Sequence, residues 1–219
     1  CIIDLTVTPE MYNSIENITY IVDTVSNGRL MNIDAVANLK IRNVTVINET
    51  NTYYNLFYSD RVIDMEIDNL RYVQNTPSAG TANITMVNSL FHDIRNFEGE
   101  NIKFNIPGGT TLTYRCSFHI KRLDSSIEVI DSPDKVYYCD FKFDYLNVQT
   151  LFGNTTTVGR FKGCKFTFGK VTTVSGAGGS INGIGNEFHF GDTNIAGSFR
   201  LQNVSSIPDA PKNILVDGH

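Results

Sequence analysis

Ile41-Arg42-Asn43-Val44 is the stretch whose reading decides the fold of this chain. It recurs as Ile15-Glu16-Asn17-Ile18 before it, and as Ile67-Asp68-Asn69-Leu70 and Ile94-Arg95-Asn96-Phe97 after it. The asparagines lie 26, 26 and 27 residues apart. The asparagine then drops out and the frame continues. Phe118-His119-Ile120, Phe141-Lys142-Phe143, Phe166-Thr167-Phe168 and Phe188-His189-Phe190 follow, at spacings of 26, 23, 25 and 22. About eight turns of one repeat cover residues 11 to 195.

Alternation within each turn gives the element type. Three positions two residues apart form apolar columns, so they point to one side of a strand. One column holds Met11, Ala37, Ile63, Leu90, Cys116, Cys139, Cys164 and Asn186. The next holds Asn13, Leu39, Met65, His92, Phe118, Phe141, Phe166 and Phe188, and the third runs from Ile15 to Phe190. The columns between them are polar. A leucine-rich repeat would need Leu-x-x-Leu-x-Leu, and a helical repeat a 3.6 period; neither is present. One strand per coil in constant register means an all-β, single-stranded parallel β-helix, right-handed by the general chirality of parallel crossovers. Eight coils at about 4.8 Å per strand make a rod of roughly 40 Å. The solenoid is expected over 1–205. Residues 206–219, with Ile207-Pro208-Asp209-Ala210-Pro211, read as a linker or C-terminal extension. Cys1-Ile2-Ile3-Asp4-Leu5 reads as the middle of a strand, so the chain is read as a piece of a longer one.

Composition agrees. The chain has 219 residues, 23 of them Asn, 21 Thr and 17 Gly, which disfavours helices and favours short strands joined by turns. A net charge of −5 argues against nucleic-acid binding. No apolar run approaches ~18 residues, so no membrane insertion is expected. The Asn ladder with its stacked columns resembles the right-handed β-helices of the pectate-lyase-like superfamily. That resemblance implies a tight turn at Asn17, Asn43, Asn69 and Asn96, where asparagine tolerates left-handed backbone.

Candidate chemistry is sparse. Cys116, Cys139 and Cys164 share an inward column and read as buried free thiols, which suggests folding in a reducing cytoplasm. They lack metal-ligand spacing, and no metal or cofactor is expected. Asp64, Glu66, Asp68 and Asp93 fall on outward positions of neighbouring coils. They are the residues an enzyme would use, but Lys40, Arg42, Arg95 and Lys121 flank them and an ion-pair ladder is the simpler reading. The resemblance places family catalysis on the first sheet. That sheet is expected at Leu30-Met31, Leu56–Tyr58, Ile84–Met86, Leu112–Tyr114 and Ile181-Asn182, with outward residues Met31, Phe57, Thr85, Thr113 and Asn182 that cannot ionise. His92 reads as a core histidine. Gly-rich 175–180 lacks the lysine of a phosphate loop. Aromatics are the best binding signal: Tyr53, Tyr54 and Tyr58 in one connection and the pair Tyr137-Tyr138 in another suit sugar rings, a subunit interface or the core.

Composition, buried thiols and the β-helix together resemble bacteriophage tail spikes and tail fibres. The resemblance implies a virion protein folded in the host cytoplasm and acting outside. It would be a homotrimer, joined to other tail proteins and bound to host surface polysaccharide, with no catalysis in this segment. The alternatives are a polysaccharide lyase or glycoside hydrolase of the pectate-lyase-like fold, and a bacterial surface adhesin.

Overall fold

A computed structural model describes residues 3–6, 13–23, 29–50, 55–75, 82–100, 102–105, 112–131, 135–152, 160–173, 180–191, 193–195, 200–203 and 215–218. The chain is an all-β parallel solenoid, and every pairing between described strands is parallel. The long strands stack in the order Asn13–Val22, Ala37–Asn48, Ile63–Gln74, Asp93–Glu100, Ser117–Asp131, Asp140–Phe152, Lys165–Thr173 and Glu187–Phe190. Leu215–Gly218 then pairs with Glu187–Phe190, so a segment expected in the linker adds to the stack. A second stack runs through Ile3–Thr6, Arg29–Asp34, Asn55–Asp60, Ala82–Val87 and Ile102–Asn105. A third is built of short strands: Ser89–Leu90, Leu112–Tyr114, Lys135–Tyr137, Arg160–Lys162, Ser180–Ile184 and Arg200–Asn203.

The asparagine ladder forms as expected. Asn17, Asn43, Asn69 and Asn96 all have φ between 51° and 58°. The side chains run up the rod: Asn43 Nδ2 donates to Asn17 Oδ1 and Asn69 Nδ2 to Asn43 Oδ1, each at 3.0 Å. Asn96 breaks the series and donates to Asp68 Oδ1 at 2.8 Å. Each asparagine thus supplies the left-handed corner, and Asn43, Asn69 and Asn96 add a contact with the coil below.

Above Asn96 the register differs from the expectation. Phe118 lies opposite Ile94, and Ile120 opposite Phe97. Cys116 therefore stacks over His92, where matching by chemical likeness had set it over Leu90. Two residues separate the inward Ile94 and Phe97, but only one separates Phe118 and Ile120. Losing the left-handed asparagine removes one residue between two inward positions. A two-residue slip preserves strand alternation, so the sequence pattern tolerates it.

The interior is a set of like-on-like columns. Ile15, Ile41, Ile67 and Ile94 give way to Phe118, Phe141, Phe166 and Phe188. Centroids of those four rings are 4.8, 5.0 and 5.0 Å apart with interplanar angles of 3–7°. A parallel column of Phe143, Phe168 and Phe190 stacks at 5.3 and 5.0 Å. The ring spacing follows the strand spacing, so stacking is set by the backbone ladder.

Beside the phenylalanines runs a polar column with a backbone duty. His92 N donates to Cys116 Sγ, Cys116 N to Cys139 Sγ, and Cys139 N to Cys164 Sγ, at 3.4–3.5 Å. Cys164 N donates to Asn186 Oδ1 at 2.9 Å, and Met65 N to His92 Nδ1 at 3.4 Å. Every one of these residues follows a left-handed position, where a regular sheet bond is interrupted. The side chain one coil up accepts the amide that would otherwise be buried unpaired. Each thiol in turn donates to a carbonyl, as Cys164 Sγ does to Val136 O at 3.3 Å. A column needing a small acceptor that is also a donor takes Cys or Asn. All three of these cysteines are free and buried. Hydrogen bonds with the neighbouring Cys116 and Cys164 thiols, together with burial, push the Cys139 thiol up and keep it protonated.

The expected first sheet needs correcting in part. Met31, Thr85 and Thr113 are buried, not outward. Leu112–Tyr114 stacks on Ser89–Leu90 in the short-strand face, and the strand above Ile84 is Ile102–Asn105.

Candidate functional site

The four acidic candidates form one surface, and most of it is neutralised from within. Glu66 Oε1 is 2.8 Å from Arg42 Nη2 and 2.6 Å from Arg95 Nη2. Arg95 Nε is also 3.2 Å from Asp93. Asp68 accepts from Asn96, and Asp64 occupies an exposed left-handed corner at φ 58°. The hydrogen bond from Arg42, aided by the charges of Arg42 and Arg95, holds the Glu66 carboxyl below the usual carboxylate range. A carboxylate clamped by two guanidiniums is a poor proton donor, so this face reads as the ion-pair ladder. His119 and His189 are also occupied, by Asp144 at 2.7 Å and Glu187 at 2.6 Å. Among the described residues no cluster of His, Cys, Asp or Glu could hold a metal ion.

A hollow of about 190 Å³ opens between Arg71, Glu98, Glu100 and Arg122. Two of its rim charges are engaged by neighbours: Lys121 pairs with Glu98 at 2.6 Å and Arg122 with Asp124 at 2.7 Å.

The unusual surface lies at the corner that precedes the polar column. One residue per coil is left-handed there: Asn38, Asp64, Phe91, Arg115, Tyr138, Gly163 and Gly185, with φ between 50° and 67°. Asn, Asp and Gly are the residues this conformation selects. Phe91, Arg115 and Tyr138 are not, and a bulky side chain there costs about 1–2 kcal/mol. These three coils carry that strain while Phe91 and Tyr138 remain 46% and 50% exposed.

Together the corners and the short strands make an aromatic ridge. Phe91 meets Tyr114 edge-to-face at 6.0 Å, and Tyr114 meets Tyr138 the same way at 5.8 Å. The Arg115 guanidinium lies 5.3 Å from the Tyr114 ring centroid. Tyr138 lies over the next corner, where a Cβ on Gly163 would come within 2.8 Å of the Tyr138 ring. Half-buried Tyr137 pairs in register with Tyr114 and Lys162, and exposed Ile63 pairs with Leu90 at the foot of the ridge.

Of the expected ligand-binding aromatics, Tyr137 belongs to this ridge. Tyr58 lies on another face, with the Arg29 guanidinium 4.1 Å from its ring centroid. Tyr53, Tyr54 and residues 175–179 of the Gly-rich segment lie outside the described residues. Tyr138, the second tyrosine of the expected pair, belongs to the ridge as well, whereas Phe91 and Tyr114 were not anticipated as binding residues. A signal for the corner was available: in successive coils it reads Asn, Asp, Phe, Arg, Tyr, Gly, Gly, so three residues that do not belong in a turn stand between turn formers. No protein-family model, curated protein or solved structure matches the chain.

Proposed function

We propose that this solenoid is a binding module of the bacteriophage tail spike or tail fibre type, a rigid β-helical rod that attaches to host surface polysaccharide. The observation that carries this reading is the retention of exposed Phe91 and Tyr138 in strained left-handed backbone. Neighbouring coils solve the same turn with Asn38, Asp64 and Gly163 at lower cost. Strain kept at exposed aromatic positions marks a surface held for contact. Aromatic rings on a rod that rises about 4.8 Å per coil suit an extended chain of sugar rings lying along the axis.

The test is Phe91→Asn, which installs the residue the same column uses at Asn38. The fold is expected to be unharmed or stabilised by up to about 1 kcal/mol, because strain is relieved. Binding to polysaccharide extracted from candidate hosts, followed by calorimetry, is expected to weaken about tenfold, equivalent to about 1.4 kcal/mol for one lost stacking contact. Unchanged affinity in a folded variant overturns the ridge as the site. The same reading makes the assembled protein a homotrimer, so light scattering should give three times the chain mass of 24.4 kDa. A monomer would remove the subunit arrangement from the proposal.

A further inference from the structure

The ridge carries cations as well as rings, and among the described residues these cations have no carboxylate partner. Arg42, Arg61, Arg95 and Arg122 each lie within 2.6–2.8 Å of a carboxylate. Arg115 differs: it rests on Tyr114 and has no carboxylate partner among the described residues. Lys135 and Lys162 flank Tyr137 on the same short-strand face and likewise have no carboxylate partner among the described residues. Among the described residues the acidic groups nearby sit at the edges. Asp64 is at the foot of the ridge, Asp93 is held by Arg95, and Asp140 lies opposite Lys165 on the adjacent strand.

From this charge pattern we infer that the ridge takes an acidic polysaccharide, whose sugar faces lie on Phe91, Tyr114 and Tyr138 while Arg115 receives its anionic group. This rests on the glycan-binding reading and names its ligand class. A guanidinium stacked on a ring is weakly hydrated and keeps its N–H fork free, so it loses little on meeting a carboxylate or phosphate. Lys135 and Lys162 add positive charge one and two coils above Arg115, where successive anionic sugars of one chain would lie.

The experiment uses the 219-residue chain and four immobilised probes: mannuronan, polysialic acid, poly(ribitol phosphate) and carboxyl-reduced mannuronan, which is neutral. Retention of at least one acidic probe is expected, with at least tenfold weaker binding of the carboxyl-reduced partner. Arg115→Gln is expected to cost about tenfold on the acidic probe and nothing on the neutral one, and to lower the salt dependence. The mannuronan and polysialate arms against the phosphate arm tell which anion is read. Equal binding of acidic and neutral probes, or an Arg115→Gln variant with full affinity, overturns the acidic preference. If neutral binding is then lost in Phe91→Asn, the glycan reading stands without it. Acidic binding untouched by Phe91→Asn is ion exchange and overturns the inference. Failure of all four probes overturns both.

Discussion

Phe166→Ala is expected to lower the stability of this chain by about 4 kcal/mol, within the usual range for a buried phenylalanine truncated in a core. Phe166 is fully buried at the centre of the ring column. It stacks on Phe141 at 5.0 Å and 7°, on Phe188 at 5.0 Å and 6°, and meets Phe161 edge-on at 5.2 Å. Truncation removes these ring contacts, and that with Phe168 at 6.4 Å, and leaves a hole between coils whose spacing the backbone ladder fixes, so collapse around it is limited. A solenoid also concentrates the damage. Each coil is stabilised only by its neighbours, so weakening one junction separates the coils beyond it. Hydrogen exchange should therefore quicken over Lys165–Thr173 and Glu187–Phe190 more than over Ala37–Asn48 and Ile63–Gln74. Urea unfolding measures the total. A loss below about 1 kcal/mol would mean that the rings are not the cohesive element. Phe166→Leu, which keeps most of the volume, is expected to cost less than half as much.

The architecture was legible because a solenoid repeats its physics. A column of isoleucines at period 26 has no explanation but stacked strands, and an asparagine after each has none but a left-handed corner. Both signals come from backbone constraints that recur in each coil. The register between Asp93–Glu100 and Ser117–Asp131 was not legible. There the corner changes kind, and likeness of side chains favoured the wrong alignment by two residues. Matching Cys116 with apolar Leu90 looked reasonable, whereas its stacking on His92 makes sense only once both are seen to accept a neighbour's amide.

The site was legible in type and not in place. Tyr137 drew notice as one of a pair of tyrosines. The ridge, however, joins Phe91, Tyr114 and Tyr138, which are 23 and 24 residues apart and meet only because the coils stack. The acidic face shows the reverse. Its clustering was visible, and so was its neutralisation, but Arg42 and Arg95 from two different coils converge on Glu66 alone, which needs the geometry.

Stability should fall by about 2 kcal/mol between pH 7 and pH 5 because of His92, and His92→Asn should remove that fall. Burial disfavours the charged imidazolium and pushes the His92 pKa down to about 4. A backbone hydrogen bond with Leu90 favours the proton, but burial outweighs it. Met65 lies below and Cys116 above, both uncharged. The Met65 amide donates to its Nδ1 at 3.4 Å, and its buried Nε2 has no partner among the described residues. The folded pKa lies below the unfolded value of about 6.5, so the unfolded chain takes up the proton first. Stability from this residue is complete above about pH 6.5 and is lost as pH falls towards 4, reaching about 3 kcal/mol at 1.36 kcal/mol per pKa unit. Asparagine is the right replacement because the same column already uses it: Asn186 accepts the Cys164 amide and donates to Phe161 O. At position 92 it would accept the Met65 amide and remove the orphaned ring nitrogen. The smaller side chain leaves some empty volume, so the variant is expected within about 1 kcal/mol of the parent at pH 7. Taking the difference between the two proteins cancels contributions common to both. Urea midpoints at pH 7 and pH 5 decide the matter. An unchanged difference across that interval would show that another group governs the acid limb, and that the buried imidazole is protonated without penalty.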